Sequence, residues 1–103
     1  MTPEEITRLV DGEIAANPSH GSPPGLDLRR SLVTPRKLTY EDGFLEGRTR
    51  ELRLVLDEHP DADAGYQIVF DERSWQFGLA AKDTGARVFI GYHGTFLDTL
   101  DGL

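Results

Sequence analysis

Cysteine is absent from the 103-residue chain, which excludes disulfides, thiolate metal sites and thiol nucleophiles. No apolar run approaches the roughly 20 residues that cross a bilayer as a helix. Basic residues are scarce: eleven Lys and Arg face eighteen Asp and Glu, for a formal net charge of −7. Nucleic acid, which demands a continuous basic stripe, is therefore not an expected partner, and neither is an anionic membrane. Met1-Thr2-Pro3-Glu4-Glu5 lacks the basic and apolar regions of a secretion signal, so a cytoplasmic location is expected.

What is present suffices for one domain spanning residues 1–103. On size scaling, folding buries about 65% of the surface of such a chain, enough for a modest core without staples. The charge is unevenly placed: net −4 over residues 1–28, +3 over 29–53 and −6 over 54–103.

Hydrophobic periodicity divides the chain in two. Ile6, Leu9, Val10 and Ile14 form one helical stripe. Thr2 stands at a capping position, Pro3 follows it and Glu5 completes a capping box. Asn17-Pro18 ends this helix, and residues 17–25, with no hydrophobic side chain, read as a flexible loop. Leu26 to Val33 fits either a short helical turn or an irregular segment, broken at Thr34-Pro35.

From Arg36 the period becomes two. Leu38 and Tyr40; Leu52, Leu54 and Leu56; Tyr66, Ile68 and Phe70; Trp75, Phe77 and Leu79; and Val88, Ile90 and Tyr92 each alternate with other residues, predicting five strands with these side chains inward. A four-residue loop at Asp71 to Ser74 and a three-residue turn at Asp83-Thr84-Gly85 favour antiparallel neighbours. Thr95 to Asp98 caps a short last helix carrying Phe96, Leu97 and Leu100. The expected fold is α+β: an N-terminal helix on an antiparallel five-stranded meander, then a short C-terminal helix.

Three stretches invite a chemical reading. Asp61, Asp63, Ile68 and Glu72 match a calcium loop, but Gly65 stands where an oxygen ligand belongs and Tyr66 where glycine makes the bend. No metal or other cofactor is expected. Tyr92, His93, Gly94 and Thr95 run from a strand into a helix start, where free N–H groups attract anions beside a titratable imidazole. The third feature is a row of acids, Asp57, Glu58, Asp61, Asp63, Asp71 and Glu72, followed by Trp75, an amphipathic ring suited to anchoring a protein partner.

Catalysis is not expected. The hydroxyls Ser19, Ser22, Ser31 and Ser74 are assigned to loops, and adjacent carboxylates on a strand point to opposite faces. G-x-S-x-G, phosphate-loop and H-E-x-x-H motifs are missing.

The runs Gly65-Tyr66-Gln67-Ile68-Val69-Phe70-Asp71-Glu72, Phe77-Gly78-Leu79-Ala80 and Gly94-Thr95-Phe96-Leu97-Asp98-Thr99-Leu100 resemble a group of short bacterial proteins of unknown function. The resemblance spans residues 50–103 and implies a bacterial, cytosolic origin, with no activity or site residue attached. The leading expectation is a small acidic interaction domain, not an enzyme, that binds a basic protein partner as an immunity or regulatory protein does. The alternative is a binder of small anions or metabolites, weakly hydrolytic at most, centred on His93 and Thr95.

Overall fold

A computed structural model describes residues 1–103. Helix α1 (Pro3–Ala16) starts as the sequence predicts: Thr2 Oγ1 accepts the Glu5 N–H, and the Glu5 carboxylate accepts the Thr2 N–H. Asp27 caps a four-residue helix α2 (Leu28–Ser31), so the ambiguous segment is helical in its middle only. Strand β1 (Leu32–Asp42) then starts four residues earlier than expected and runs through Thr34-Pro35. Proline is tolerated because the β1–β2 register breaks between Leu32 and Arg36, leaving no ladder position for its missing N–H.

Strands β2 (Thr49–Asp57), β3 (Ala64–Asp71), β4 (Gln76–Asp83) and β5 (Ala86–Gly94) follow, then helix α3 (Phe96–Asp101). Sequential strands pair antiparallel, as expected. The sheet is not an open meander, however. It closes into a barrel because β1 also pairs with β5, in parallel, at Glu41–Val88 and Asp42–Phe89. An odd number of alternating strands makes the first and last run the same way, so closure needs no crossover. The β4–β5 turn is also tighter than expected: Asp83 pairs with Ala86, leaving Thr84 and Gly85 as a two-residue turn with φ of 46° and 85°.

Closure creates two apolar layers. Tyr40, Leu52, Val69, Ala80 and Phe89 fill the barrel. On its outside, Val55, Leu56, Ile68, Phe70, Phe77 and Leu79 pack with Ile6 and Val10 of α1 and with Phe96, Leu97 and Leu100 of α3. Burying Ile6 and Val10 contributes roughly 1.5–3 kcal/mol each.

Strict alternation therefore fails at two places. A register shift between Leu54 and Leu56 sends Leu56 to the outer layer although Leu52 faces in. In β5 the expected face is inverted: Phe89 is buried, whereas Ile90 and Tyr92 are 41% and 37% exposed. Tyr66 is exposed as well. The 17–25 loop is fastened at one point, where His20 Nε2 lies 2.8 Å from Asp101 Oδ1. No helix is long and apolar enough to cross a membrane.

Candidate partner-binding cleft

The seven residues expected to meet a partner do not form one surface. The β2–β3 loop and the β3–β4 loop lie at opposite ends of β3, about 23 Å apart at the usual strand rise. Glu58, Asp61 and Asp63 therefore belong to one end of the barrel and Asp71, Glu72 and Trp75 to the other. The same separation removes Glu72 from any calcium loop begun at Asp61.

Three of the six acids are hydrogen-bonded by other side chains. Asp57 is 8% exposed and accepts from Lys82 Nζ, from Gln67 Nε2 and from the His59 N–H. Asp71 is 7% exposed and accepts from the Tyr92 hydroxyl and the Arg73 N–H. Glu72 accepts from Arg53 Nε at 2.8 Å, and that hydrogen bond holds its carboxyl below the usual range. Trp75 stands just before β4, exposed as a partner anchor would be and not inward as alternation placed it, and adopts a left-handed φ of 59°, with its ring edge-on to Phe70 at 5.6 Å. It stands at the barrel end away from Asp61.

The end near Asp71 is closed by a polar network. Asp42 accepts from Arg50 Nε and from the Phe44 and Leu45 N–H groups, so its carboxyl lies below the usual range, chiefly through the Arg50 bond. Arg50 also donates to the Tyr92 hydroxyl at 3.0 Å. Burial, then the bond to Asp71, pushes the Tyr92 phenol up. Inside the barrel, Tyr40 donates to Gln67 Oε1 at 2.8 Å, and burial raises its phenol far above the ordinary value.

The helix start expected to attract anions is filled from within the chain. The Phe96 and Leu97 N–H groups donate to the two oxygens of Glu13 at 3.0 and 3.1 Å, and the Asp98 N–H donates to Thr95 Oγ1. Of Tyr92, His93, Gly94 and Thr95, the first turns its hydroxyl into the barrel-end network and the second is exposed. An incoming anion would have to displace Glu13, a carboxylate already optimally placed for the helix dipole.

The opposite end carries a cleft of about 390 Å³ between α2 and the β2–β3 loop. Asp27, Arg30 and Ser31 form one wall, and Glu58, His59 and Asp61 the other. The loop wall is rigidly held. Lys82 Nζ donates to the Asp57 carboxylate and to the His59 and Ala62 carbonyls, the latter two at 2.8 Å, exhausting its three donors. The Ala62 N–H closes a turn onto the His59 carbonyl, and the Thr84 N–H ties the Asp63 carbonyl to the β4–β5 turn. Gly65, at φ +112°, permits the fold-back: a Cβ there would lie 2.8 Å from the His59 ring.

Above this floor Asp61 and Asp63 stay exposed, whereas the Glu58 side chain is half-buried. Asp61 is 92% exposed, and its one ionic neighbour is Arg30 at 3.9 Å, itself 76% exposed. Such a pair contributes little and yields readily. Glu58 accepts the Tyr66 N–H at 3.3 Å and lies 3.5 Å from His59 Nε2.

Sequence reasoning located Glu58, Asp61 and Asp63 but not Asp27, Ser31 or His59 as neighbours. The proximity of Asp27 to residues 58–62 was not legible, because nothing local connects them. In comparisons with known proteins, no family model, no curated protein and no solved structure matches the chain. The chemistry of the cleft is therefore the basis for a functional reading.

Proposed function

We propose that this protein is a small non-enzymatic interaction domain that binds a basic protein partner through the cleft end of the barrel, in the manner of an immunity or regulatory protein. Glu58, Asp61 and Asp63 carry the contact, with Asp27 on the facing wall. The observation behind this reading is the exposed Asp61 carboxylate standing on a loop that Lys82 locks from beneath. A pre-ordered loop loses little conformational entropy on association, so its carboxylates act at full strength. The net charge of −7 adds long-range attraction for a cationic surface. Asp57, Asp71 and Glu72 maintain the barrel instead, and the Glu13 cap leaves the anion-binding alternative without free donors.

Isothermal titration with an Arg/Lys-rich peptide tests the reading. Binding is expected at ~20 mM salt, weakening strongly by ~300 mM as screening grows. The Asp61→Lys/Asp63→Lys double variant should lose it, and Asp98→Lys on α3 should keep it. Equal affinity in the double variant, or no binding by the unaltered protein, overturns the proposal.

A further inference from the structure

We infer that the cleft between α2 and the β2–β3 loop receives a single arginine side chain from the partner, with the Ser31 hydroxyl at its base. This inference rests on the reading of that end as a binding surface and specifies what enters it.

Ser31 is the informative residue. It ends α2, is only 3% exposed and lines the cleft. Its N–H is used, donating to the Asp27 carbonyl at 3.0 Å. Its hydroxyl has no hydrogen-bond partner within the chain, yet no buried side-chain oxygen or nitrogen is sealed without one. The hydroxyl therefore opens to the cleft, the space that Ser31 lines. Open to the cleft and unused within the chain, it is free to bond a group that enters there.

The surrounding acceptors define the occupant. Asp27 uses Oδ1 for the Arg30 N–H cap, leaving Oδ2 free. Asp61 makes only the 3.9 Å contact with Arg30. Free acceptors thus stand on both walls, with a hydroxyl between them. An ammonium offers three donors from one point, whereas a guanidinium spreads five over a planar fork that reaches two walls together. It also sheds water more easily than an ammonium. His, Cys, Asp and Glu do not gather in the groups of three that a metal ion needs, so the acceptors suit an organic cation. Arg30 is at the mouth with its head exposed, a guanidinium of the chain itself that the incoming one displaces from Asp61.

The test uses the whole chain and three short peptides, neutral apart from one central residue: arginine, lysine or norleucine. Amide chemical shifts of the unaltered protein serve as readout. The arginine peptide should move the amides of Asp27, Ser31, Glu58 and Asp61. Replacing arginine by lysine should weaken binding about tenfold, and norleucine should abolish it. Ser31→Ala should weaken the arginine peptide about threefold to tenfold. Arg30→Ala, which removes the competitor, should strengthen it about twofold. Equal affinity for arginine and lysine together with an unaffected Ser31→Ala variant overturns the inference. So does shift movement confined to other residues. If the Arg/Lys-rich peptide binds and needs Asp61 and Asp63 while the single-arginine peptide does not bind, the inference fails and the proposed function stands. If neither peptide binds, both fail.

Discussion

Lys82 Nζ lies 2.9 Å from Asp57 Oδ1, and the two side chains retain only 13% and 11% of their exposure. This ion pair joins the barrel interior to the β2–β3 loop. Asp57 reaches inward through Gln67 to the Tyr40 hydroxyl, while Lys82 reaches outward to the His59 and Ala62 carbonyls. The cleft wall is thus fixed by a side chain on β4 that is not itself among the residues lining the cleft.

Lys82→Met should accordingly act twice. Removing the ammonium leaves Asp57 a mostly buried charge with fewer donors, for a loss of about 2–3 kcal/mol in urea unfolding. Hydrogen exchange at Ala62 and Asp63 should accelerate more than at β3 amides. Uniform acceleration across the barrel would show that the lysine does not hold the loop in particular.

Glu13 links α1 to α3 across the outer apolar layer, satisfying the Phe96 and Leu97 N–H groups. Glu13→Ala should cost about 1 kcal/mol, the usual effect of losing a helix cap with its dipole interaction. Glu13→Gln, which keeps one acceptor oxygen, should cost less. Denaturant midpoints rank the two variants, and equal losses would mean that the carboxylate charge alone matters.

The β1–β5 seam is short, and Gly43 closes it by donating its N–H to the Phe89 carbonyl at 2.9 Å. A Cβ on Gly43 would lie 2.5 Å from that same oxygen. Gly43→Ala should therefore force the seam apart and cost about 2 kcal/mol. Gly12→Ala is the matched control: open space surrounds it in the middle of α1, and it should gain about 0.5–1 kcal/mol. Thermal unfolding of both variants gives opposite shifts if the barrel closes as described.

Stability should fall at both pH extremes for identifiable reasons. Asp42 and Glu72 titrate below the usual carboxylate range in the folded protein, held by Arg50 and Arg53. Lowered values stabilise the fold above the ordinary carboxylate pKa of about 4, and that contribution disappears as pH drops below it. Tyr40 and Tyr92 titrate above the ordinary phenol value because burial disfavours the phenolate. Their contribution is complete below about pH 10 and is lost as pH rises further. In melting curves against pH, Asp42→Asn and Glu72→Gln should flatten the acid limb, and Tyr40→Phe the alkaline one. Unchanged limbs would assign the transitions to other groups.

The sequence alone determined what depends on neighbours along the chain. The Thr2–Glu5 capping box, the α1 stripe, five strands and their antiparallel succession all follow from local backbone preference and periodicity. Alternation states which side chains share a face but not which face becomes the inside. Once the barrel closes and two helices cover it, β2 and β3 are buried on both sides and the signal vanishes, as at Val55, Val69 and Phe70. The tertiary structure decided the inverted face of β5 and the parallel seam, since both depend on strands far apart in sequence. It also decided which carboxylates are free. Lys82 neutralises an acid 25 residues away, and Glu13 caps a helix 83 residues on. A row of acids in the sequence therefore separates in the fold into carboxylates engaged in the barrel and carboxylates left exposed, because Coulomb and hydrogen-bond energies follow distance in space rather than position along the chain.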